Sequence, residues 1–354
     1  MKKAAILRRS GMTAALLLCG AVPLFSKAAR DGASGGVELC LKVLVPSLFP
    51  FMALSGLAVA TGLCSRAGRM LSGVGRRLFG VSGALAPVIL LGMIGGYPVG
   101  AKGISELVRT GSINKDEAAR AALFTVGAGP GFLINYVGLS VYGSSTLGWI
   151  MLASQVLTVI LTGVAVKFLY RNKNDYISDK EYCSPPRAFG DALIASTRDA
   201  CTSMAGICAL VVLFSSFSGI VNSFISDADA RFIIGALLEV TTAVSAANQR
   251  FGAVGTAFAV GFGGLCVHAQ ILSVLGEAHV NKGLFFLFRI ISGALTALFT
   301  KLGMLLFLVD SQVFSVISGS AVGALGSGML GGALLLAVAV GFPVALRGIN
   351  ENKY

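Results

Sequence analysis

One carboxylate, Glu239, lies inside an apolar segment near residues 232–247, and Thr241 and Thr242 follow it closely. A charged side chain in such a segment is costly, so Glu239 predicts a solute or coupling-ion site. The two hydroxyl groups predict further contacts to the same ligand. Two alternatives remain: Glu239 lies at an outer interface where water hydrates it, and the threonines bond their own helix.

A glycine-rich stretch, "GMIGGYPVGAKG" at 92–103, follows a second apolar run. Gly95 and Gly96 allow the backbone to approach a ligand closely, and Pro98 leaves a backbone carbonyl without its helical partner. Tyr97 and Lys102 add polar groups to the same candidate site. The alternatives are a simple tight turn and a lysine whose ammonium group extends to the lipid headgroups.

A related glycine pattern occurs twice, as "FTVGAGPGFLINYVGLSVYG" at 124–143 and "FAVGFGGLCVHAQILSVLG" at 258–276. With one gap at Pro130, the two stretches share nine identities in nineteen pairs. The glycines predict breaks in two helices or, alternatively, close helix packing. His268 could contact a polar ligand, shuttle a proton or be purely structural. The candidate binding residues here are Gly127, Gly129, Pro130 and Asn135 in the first copy, and Gly263, Gly264, His268 and Gln270 in the second.

Signals for an enzyme are weak, because the H-E-x-x-H, G-x-S-x-G and P-loop motifs do not occur in the sequence. The seven cysteines have no C-x-x-C spacing, and an odd number does not indicate a disulfide framework. We therefore expect no catalytic residues, no metal and no cofactor, with Na⁺ or H⁺ as a candidate coupling ion.

The composition is that of a multi-span membrane protein. Of the 354 residues, 55% are hydrophobic and 12% charged, with a mean hydropathy of +0.82, whereas soluble domains carry about 25% charged residues. The net charge of +12 comes from basic residues scattered over short loops. That pattern favours cytoplasmic loops facing anionic lipid and argues against nucleic acid as a partner.

About eight stretches are long enough to cross a membrane, and we expect an all-α protein. They lie at 11–27, 44–63, 121–142, 146–169, 200–222, 252–275, 284–308 and 328–346. Two more, at 82–101 and 232–247, are broken by polar residues, glycine or proline. If each enters and leaves on one side as a re-entrant hairpin, the basic loops all face the cytoplasm together with both chain termini.

Residues 1–36 predict an N-terminal anchor helix or, alternatively, a cleaved signal. Each glycine-patterned stretch follows a broken segment, which itself follows a span containing F-x-x-x-S-G. This conserved order predicts two repeats of inverted orientation, an arrangement typical of secondary transporters. The expected organisation is a first repeat at 37–170, a cytoplasmic linker at 171–199, a second repeat at 200–309 and a C-terminal helix and tail at 310–354.

Several motifs together resemble the YlbJ-like sporulation membrane proteins and, more broadly, proteins with a nucleoside-recognition (Gate) domain. They are "PSLFPFMALSG", "GGYPVGAK", the G-x-I-x-x-x-E-A-x-R run at 111–120, "GAGPGFLI" and "GFGGLCVHAQ", spread over residues 37–309. One departure is "LLEVTTAVSAANQ", which lacks the glycine of the family's L-E-x-T-x-G pattern.

This resemblance implies a cell-membrane protein that acts in spore cortex formation, with an architecture similar to concentrative nucleoside transporters. It implies binding or transport of a small polar solute, such as a nucleoside. The alternative is a non-transporting scaffold that recruits cortex-assembly partners through 102–120 and 170–199. Membrane lipid and a second copy of the chain, or other sporulation proteins, are the remaining expected partners.

Overall fold

The computed structural model describes residues 20–170, 187–245, 251–276, 278 and 280–307. Most of the predicted linker at 171–199, the C-terminal span at 328–346 and most of the N-terminal span at 11–27 lie outside these ranges. Within the described ranges the regular structure is entirely helical. The helices are α1 (Ser26–Ala60), α2 (Leu63–Val74), α3 (Leu85–Gly95), α4 (Tyr97–Arg109), α5 (Lys115–Ala122), α6 (Gly131–Val141), α7 (Ser145–Leu169), α8 (Phe189–Asn222), α9 (Ala228–Leu238), α10 (Val240–Ser245), α11 (Gly252–Phe262), α12 (Gly264–Val274) and α13 (Lys282–Leu306).

Five segments of the described chain are long and apolar enough to cross a membrane: α1, α7, α8, α11 with α12, and α13. They correspond to predicted spans at 44–63, 146–169, 200–222, 252–275 and 284–308. The first and third are longer than predicted, with 35 and 34 residues. The protein is therefore a multi-pass, all-helical membrane protein in the part of the chain that is described.

The two longest helices, α1 and α8, pack against each other in antiparallel orientation along most of their length. Small residues line the contact: a methyl group on Gly36 would lie 2.9 Å from Cβ of Ser215, and one on Gly219 would lie 3.1 Å from Cα of Gly32. Without side chains at these positions the two backbones approach closely, which is how helices associate where lipid removes the hydrophobic driving force. This pair forms one wall of the site described below.

The first broken segment is a helical hairpin in which α3 and α4 run antiparallel from a turn at Gly96. The turn requires glycine, because the φ angle of Gly96 is +89°. Behind it the helices touch closely, and a methyl group on Gly92 would lie 2.9 Å from Cα of Gly100. The hairpin extends to Arg109, beyond the predicted limit of 101, because α4 continues into the following loop.

The second broken segment is also a hairpin, and its helices α9 and α10 meet at Glu239. The side chain of Asp227 caps α9 by accepting the amide of Ala230 at 2.8 Å. Glu239 is in an extended conformation, with φ −152° and ψ 120°. Gly235 allows the returning helix to pass at Ala243, since a methyl group there would lie 3.1 Å from the Ala243 nitrogen.

Each half of the described chain also contains an interrupted helical segment. In the first, α5 ends at Ala122, residues 123–130 leave the helix, and α6 begins at Gly131. The predicted span at 121–142 is therefore not one continuous helix, and α6 alone has 11 residues. In the second, Gly263 separates α11 from α12 with a φ angle of +91°. We call residues 123–130 the first break and Gly263 the second break.

Candidate functional site

The tips of both hairpins, the first break and α12, which follows the second break, surround one small space of about 40 Å³, which we call the tip cavity. Of the residues proposed from sequence, it is lined by Gly96, Tyr97, Pro98, Gly129, Glu239, Thr241 and Gln270. Its remaining wall is apolar and comes mostly from α1, α6 and α8. A buried water needs about 10–15 Å³. The tip cavity therefore has room for a few waters or one small ion, and none for a larger solute in this conformation.

Glu239 is almost completely buried, with 1% of its surface exposed. Its Oε2 atom accepts a hydrogen bond from the Thr241 hydroxyl. The same oxygen accepts the Thr242 amide at 2.8 Å and the Thr242 hydroxyl at 3.2 Å. Three donors on one oxygen hold the carboxyl group at the start of α10. Glu239 also lines the tip cavity.

Each break packs against the tip of one hairpin through glycine. A methyl group on Gly129 would lie 3.0 Å from the amide nitrogen of Gly96. A methyl group on Gly264, whose φ is +71°, would lie 3.3 Å from the amide nitrogen of Glu239. These approaches explain why the sequence repeats glycine at both breaks: backbone must touch backbone there.

Two side chains donate hydrogen bonds to backbone carbonyl groups at the breaks, one inside the first break and one just before the second. The Tyr97 hydroxyl, from the tip of the first hairpin, donates to the carbonyl of Val260 on α11. The Arg289 guanidinium, from α13, donates to the carbonyl of Val126 at 2.7 Å. Val126 and Val260 are paired positions of the two glycine-patterned stretches. A break leaves carbonyls without helical donors, and in a membrane interior each must be satisfied by another part of the protein.

Arg289 is a site residue that the sequence analysis missed. It is 1% exposed, its second terminal nitrogen donates to the Ser292 hydroxyl at 2.7 Å, and its Nε has no partner in the described structure. The signal was present, because an arginine inside the apolar run "LFFLFRIISG" is as unusual as Glu239 in its segment. Hydropathy alone assigned the run as a plain span.

Other predicted residues lie near the tip cavity without lining it. Gly95 is buried in the first hairpin, and Gly127 lies beside Gln155 of α7. Pro130 precedes the first residue of α6. The His268 Nε2 atom pairs with the carbonyl of Phe262 at 2.8 Å among aromatic rings, so the structural alternative fits its placement.

Two predicted residues are separated from the tip cavity. Asn135 is exposed on α6, although its repeat partner His268 is buried, because the wide π-helical winding of α6 changes which side chains face inwards. Lys102 lies at a different gap of about 20 Å³, together with Glu106, Arg187 and Asp199. The structure therefore does not bring these two side chains to Glu239.

A larger space of about 550 Å³, which we call the vestibule, adjoins the second hairpin. Its walls come from α1, α8 and α10, with Tyr136 of α6 at one side. Thr241 lines both the vestibule and the tip cavity. Thr241, whose hydroxyl donates to Oε2 of Glu239, therefore borders both spaces.

In the described ranges no group of three or more His, Cys, Asp or Glu side chains could hold a metal ion. Four cysteines, Cys40, Cys201, Cys208 and Cys266, are buried free thiols.

Removing the Tyr97 hydroxyl tests the hydrogen bond that joins the first hairpin to the Val260 carbonyl on α11. In Tyr97→Phe the ring stays but the buried Val260 carbonyl loses its donor, which costs about 1–3 kcal/mol. We expect a lower midpoint of thermal unfolding in detergent. Tyr170→Phe is the control, because the Tyr170 ring contacts Arg120 through its face and not through the hydroxyl. Equal midpoints for the two variants would mean that the Tyr97 bond contributes nothing.

Comparison with known proteins gives one informative match. The sporulation integral membrane protein YlbJ of Bacillus subtilis (strain 168) is 26% identical over 330 residues, covering 81% of this chain and 80% of that protein. No family model matches the chain, and no solved structure matches it. Together with the long apolar helices, the similarity confirms the resemblance to YlbJ that the motifs predicted, whereas the resemblance to Gate-domain proteins stays a prediction.

Proposed function

We propose that the protein binds a small polar solute and moves it across the cell membrane by alternating access, during sporulation. The supporting observation is the stacking of three spaces along α1. The vestibule contacts residues 31–43, the tip cavity contacts Leu44 and Leu48, and the small gap at Lys102 contacts residues 52–60. One end of this route is wide and the other is nearly closed, as expected of a transporter in one of its two states.

The order of elements supports two inverted repeats within this proposal. In both halves a long helix precedes a hairpin, an interrupted segment and a second long helix. With the orientation from the basic loops, both termini are cytoplasmic, the hairpins are re-entrant and the vestibule faces outwards. Likeness to concentrative nucleoside transporters and to the Gate domain, and a role in the spore cortex, belong to the same proposal.

Glu239 is the group to which a coupling Na⁺ or H⁺ would bind, since its carboxylate is buried and faces a cavity of ion size. No enzymatic step, further cofactor or nucleic acid is part of the proposal. Membrane lipid and copies of the chain or other sporulation proteins are the expected partners.

Replacing Thr241 tests the route between vestibule and tip cavity. Thr241→Val keeps the shape but removes the hydroxyl that contacts Glu239, and losing a hydrogen bond to a charged group costs about 1.5–3 kcal/mol, or at least tenfold in rate. We expect that loss in the uptake of labelled polar solutes by proteoliposomes. Thr202→Val is the control, because the exposed Thr202 hydroxyl bonds only its own helix at Arg198.

The scaffold alternative makes the opposite prediction. If the protein is a scaffold, proteoliposomes with the wild-type protein take up no more solute than empty liposomes. Cells that carry Thr241→Val then sporulate normally, whereas replacement of the 102–120 loop abolishes sporulation. That combination would refute transport.

A further inference from the structure

A further space of about 630 Å³, which we call the lateral pocket, lies between α9, α11 and α13. Ligand sites usually measure about 300–1,000 Å³, so the lateral pocket is large enough for a bound molecule. Its lining shares no described residue with the tip cavity or with the vestibule. A ligand in the lateral pocket would therefore bind separately from the solute of the proposed transport.

The lateral pocket is lined by apolar groups. Among the described residues that form it, Lys301 alone carries a polar side chain. Phe232 and Phe251 stack in its wall with ring centroids 4.8 Å apart, and Phe258 stacks with Phe262 at 6.2 Å. A polar ligand would lose its hydrogen bonds to water on entering such a lining, whereas a hydrocarbon chain has none to lose.

The length of the lateral pocket fits one leaflet of a bilayer. A methyl group on Gly261 would lie 2.8 Å from the carbonyl oxygen of Ser292, so the end of α11 faces the middle of α13. Residues 251–255 instead share the pocket with Lys301, and the two helices therefore run antiparallel. The lining of α11, from 251 to 262, spans about 16 Å, or about half of a hydrocarbon core of about 30 Å.

Lys301 places a positive charge beside this apolar lining. It lies within the last two turns of α13, and its side chain is exposed. In the part of the chain that is described, no carboxylate forms an ion pair with it. A lysine near the end of a membrane helix extends its ammonium group to the headgroup region. There it can pair with a lipid phosphate, and a headgroup without a second cation fits best.

A molecule in the lateral pocket would contact the second hairpin. Ile233 and Leu237 of α9 line the pocket, and each is about half exposed. Leu237 is two residues before Glu239. An acyl chain in the pocket would cover these apolar side chains and pack against the helix that ends at Glu239.

We propose that the lateral pocket binds an acyl chain of an anionic phospholipid, whose phosphate pairs with Lys301. The apolar lining and the unpaired ammonium group are then covered by the same molecule.

Two substitutions distinguish the headgroup contact from the chain contact. Lys301→Gln removes the charge, and Lys282→Gln is its control, because Lys282 is also exposed but lies at the other end of α13. Ala297→Phe places a ring in the lateral pocket. Its control, Ala205→Phe, places the same ring at an exposed position of α8 that lines none of the four spaces.

The experiment is native mass spectrometry of the full chain in detergent, titrated with phosphatidylglycerol or with phosphatidylcholine of the same acyl chains. We expect the wild type to bind phosphatidylglycerol about fivefold more tightly, the effect of one cation at an anionic headgroup. Lys301→Gln should abolish this preference and leave phosphatidylcholine binding unchanged. Ala297→Phe should weaken the binding of both lipids about tenfold, while the two controls match the wild type.

Equal affinity of the wild type for the two lipids, or an unchanged preference in Lys301→Gln, would overturn the proposed headgroup contact. Unchanged lipid binding by Ala297→Phe would overturn the proposed pocket. That last result is expected if residues beyond Phe307 or a second copy of the chain occupy the space. Lipid binding and transport fail separately: if the expected lipid pattern is seen but no solute is taken up, the lipid site stands and the proposed function fails.

Discussion

Glu239→Gln should reduce solute uptake by proteoliposomes about a hundredfold, because it removes charge-assisted interactions worth about 1.5–3 kcal/mol. The amide oxygen of glutamine can still accept the donors from Thr241 and Thr242, so the hairpin tip keeps its shape. What disappears is the negative charge beside the tip cavity. A coupling ion then has no counter-charge, and an Na⁺ or H⁺ gradient should no longer increase uptake.

Asp191→Asn is the control for this change, since Asp191 is an exposed carboxylate in the first turn of α8. Glu239→Asp distinguishes the effect of the charge from that of the side-chain length, because it keeps the carboxylate on a side chain one carbon shorter. We expect partial uptake that still responds to the gradient. Uptake by Glu239→Gln at the wild-type level and with the wild-type gradient response would remove Glu239 from the mechanism.

Gly96→Ala should both destabilise the protein and abolish most of its uptake. The φ of +89° and ψ of −172° at Gly96 belong to a region that other residues rarely adopt. The added methyl group would also lie 3.0 Å from the amide nitrogen of Gly129. Strain and overpacking together cost about 3 kcal/mol. We expect a lower midpoint of thermal unfolding and a loss of uptake larger than the loss of folded protein.

Gly143→Ala separates the backbone strain from the close contact with Gly129. Gly143 also has a positive φ of +64°, but a methyl group there meets nothing within 4 Å. It should show the backbone cost alone, about 1–2 kcal/mol, and retain uptake. If the two variants lose stability and uptake to the same extent, the contact between the first break and the hairpin tip has no role beyond ordinary backbone strain.

Much of the candidate site was recognisable in the sequence because charged residues, glycine and proline are unusual within or beside long apolar runs. Glu239 in an apolar run, and glycine and proline next to spans, are costly in lipid unless function or packing compensates. Both hairpins and both breaks were identified in this way. Arg289 carried the same signal and was overlooked, since the length and hydropathy of its run already fitted a simple span.

Other parts were not recoverable from a linear pattern. Asn135 was paired with His268 by alignment, yet one is exposed and the other buried, because helical winding decides which direction a side chain faces. Similarly, Lys102 lies only six residues from Gly96 but belongs to another gap, since α4 carries it about 9 Å along the helix axis.

The sequence by itself determined the class of this protein, its long apolar helices and the positions where helices break, since these depend on local composition and on the backbone freedom of individual residues. Only the tertiary structure decided which breaks meet, that Tyr97 and Arg289 capture the carbonyls of Val260 and Val126, and that a hydroxyl-lined vestibule adjoins Glu239. Those contacts join residues more than 100 positions apart, and only the packing of helices from both halves brings them together.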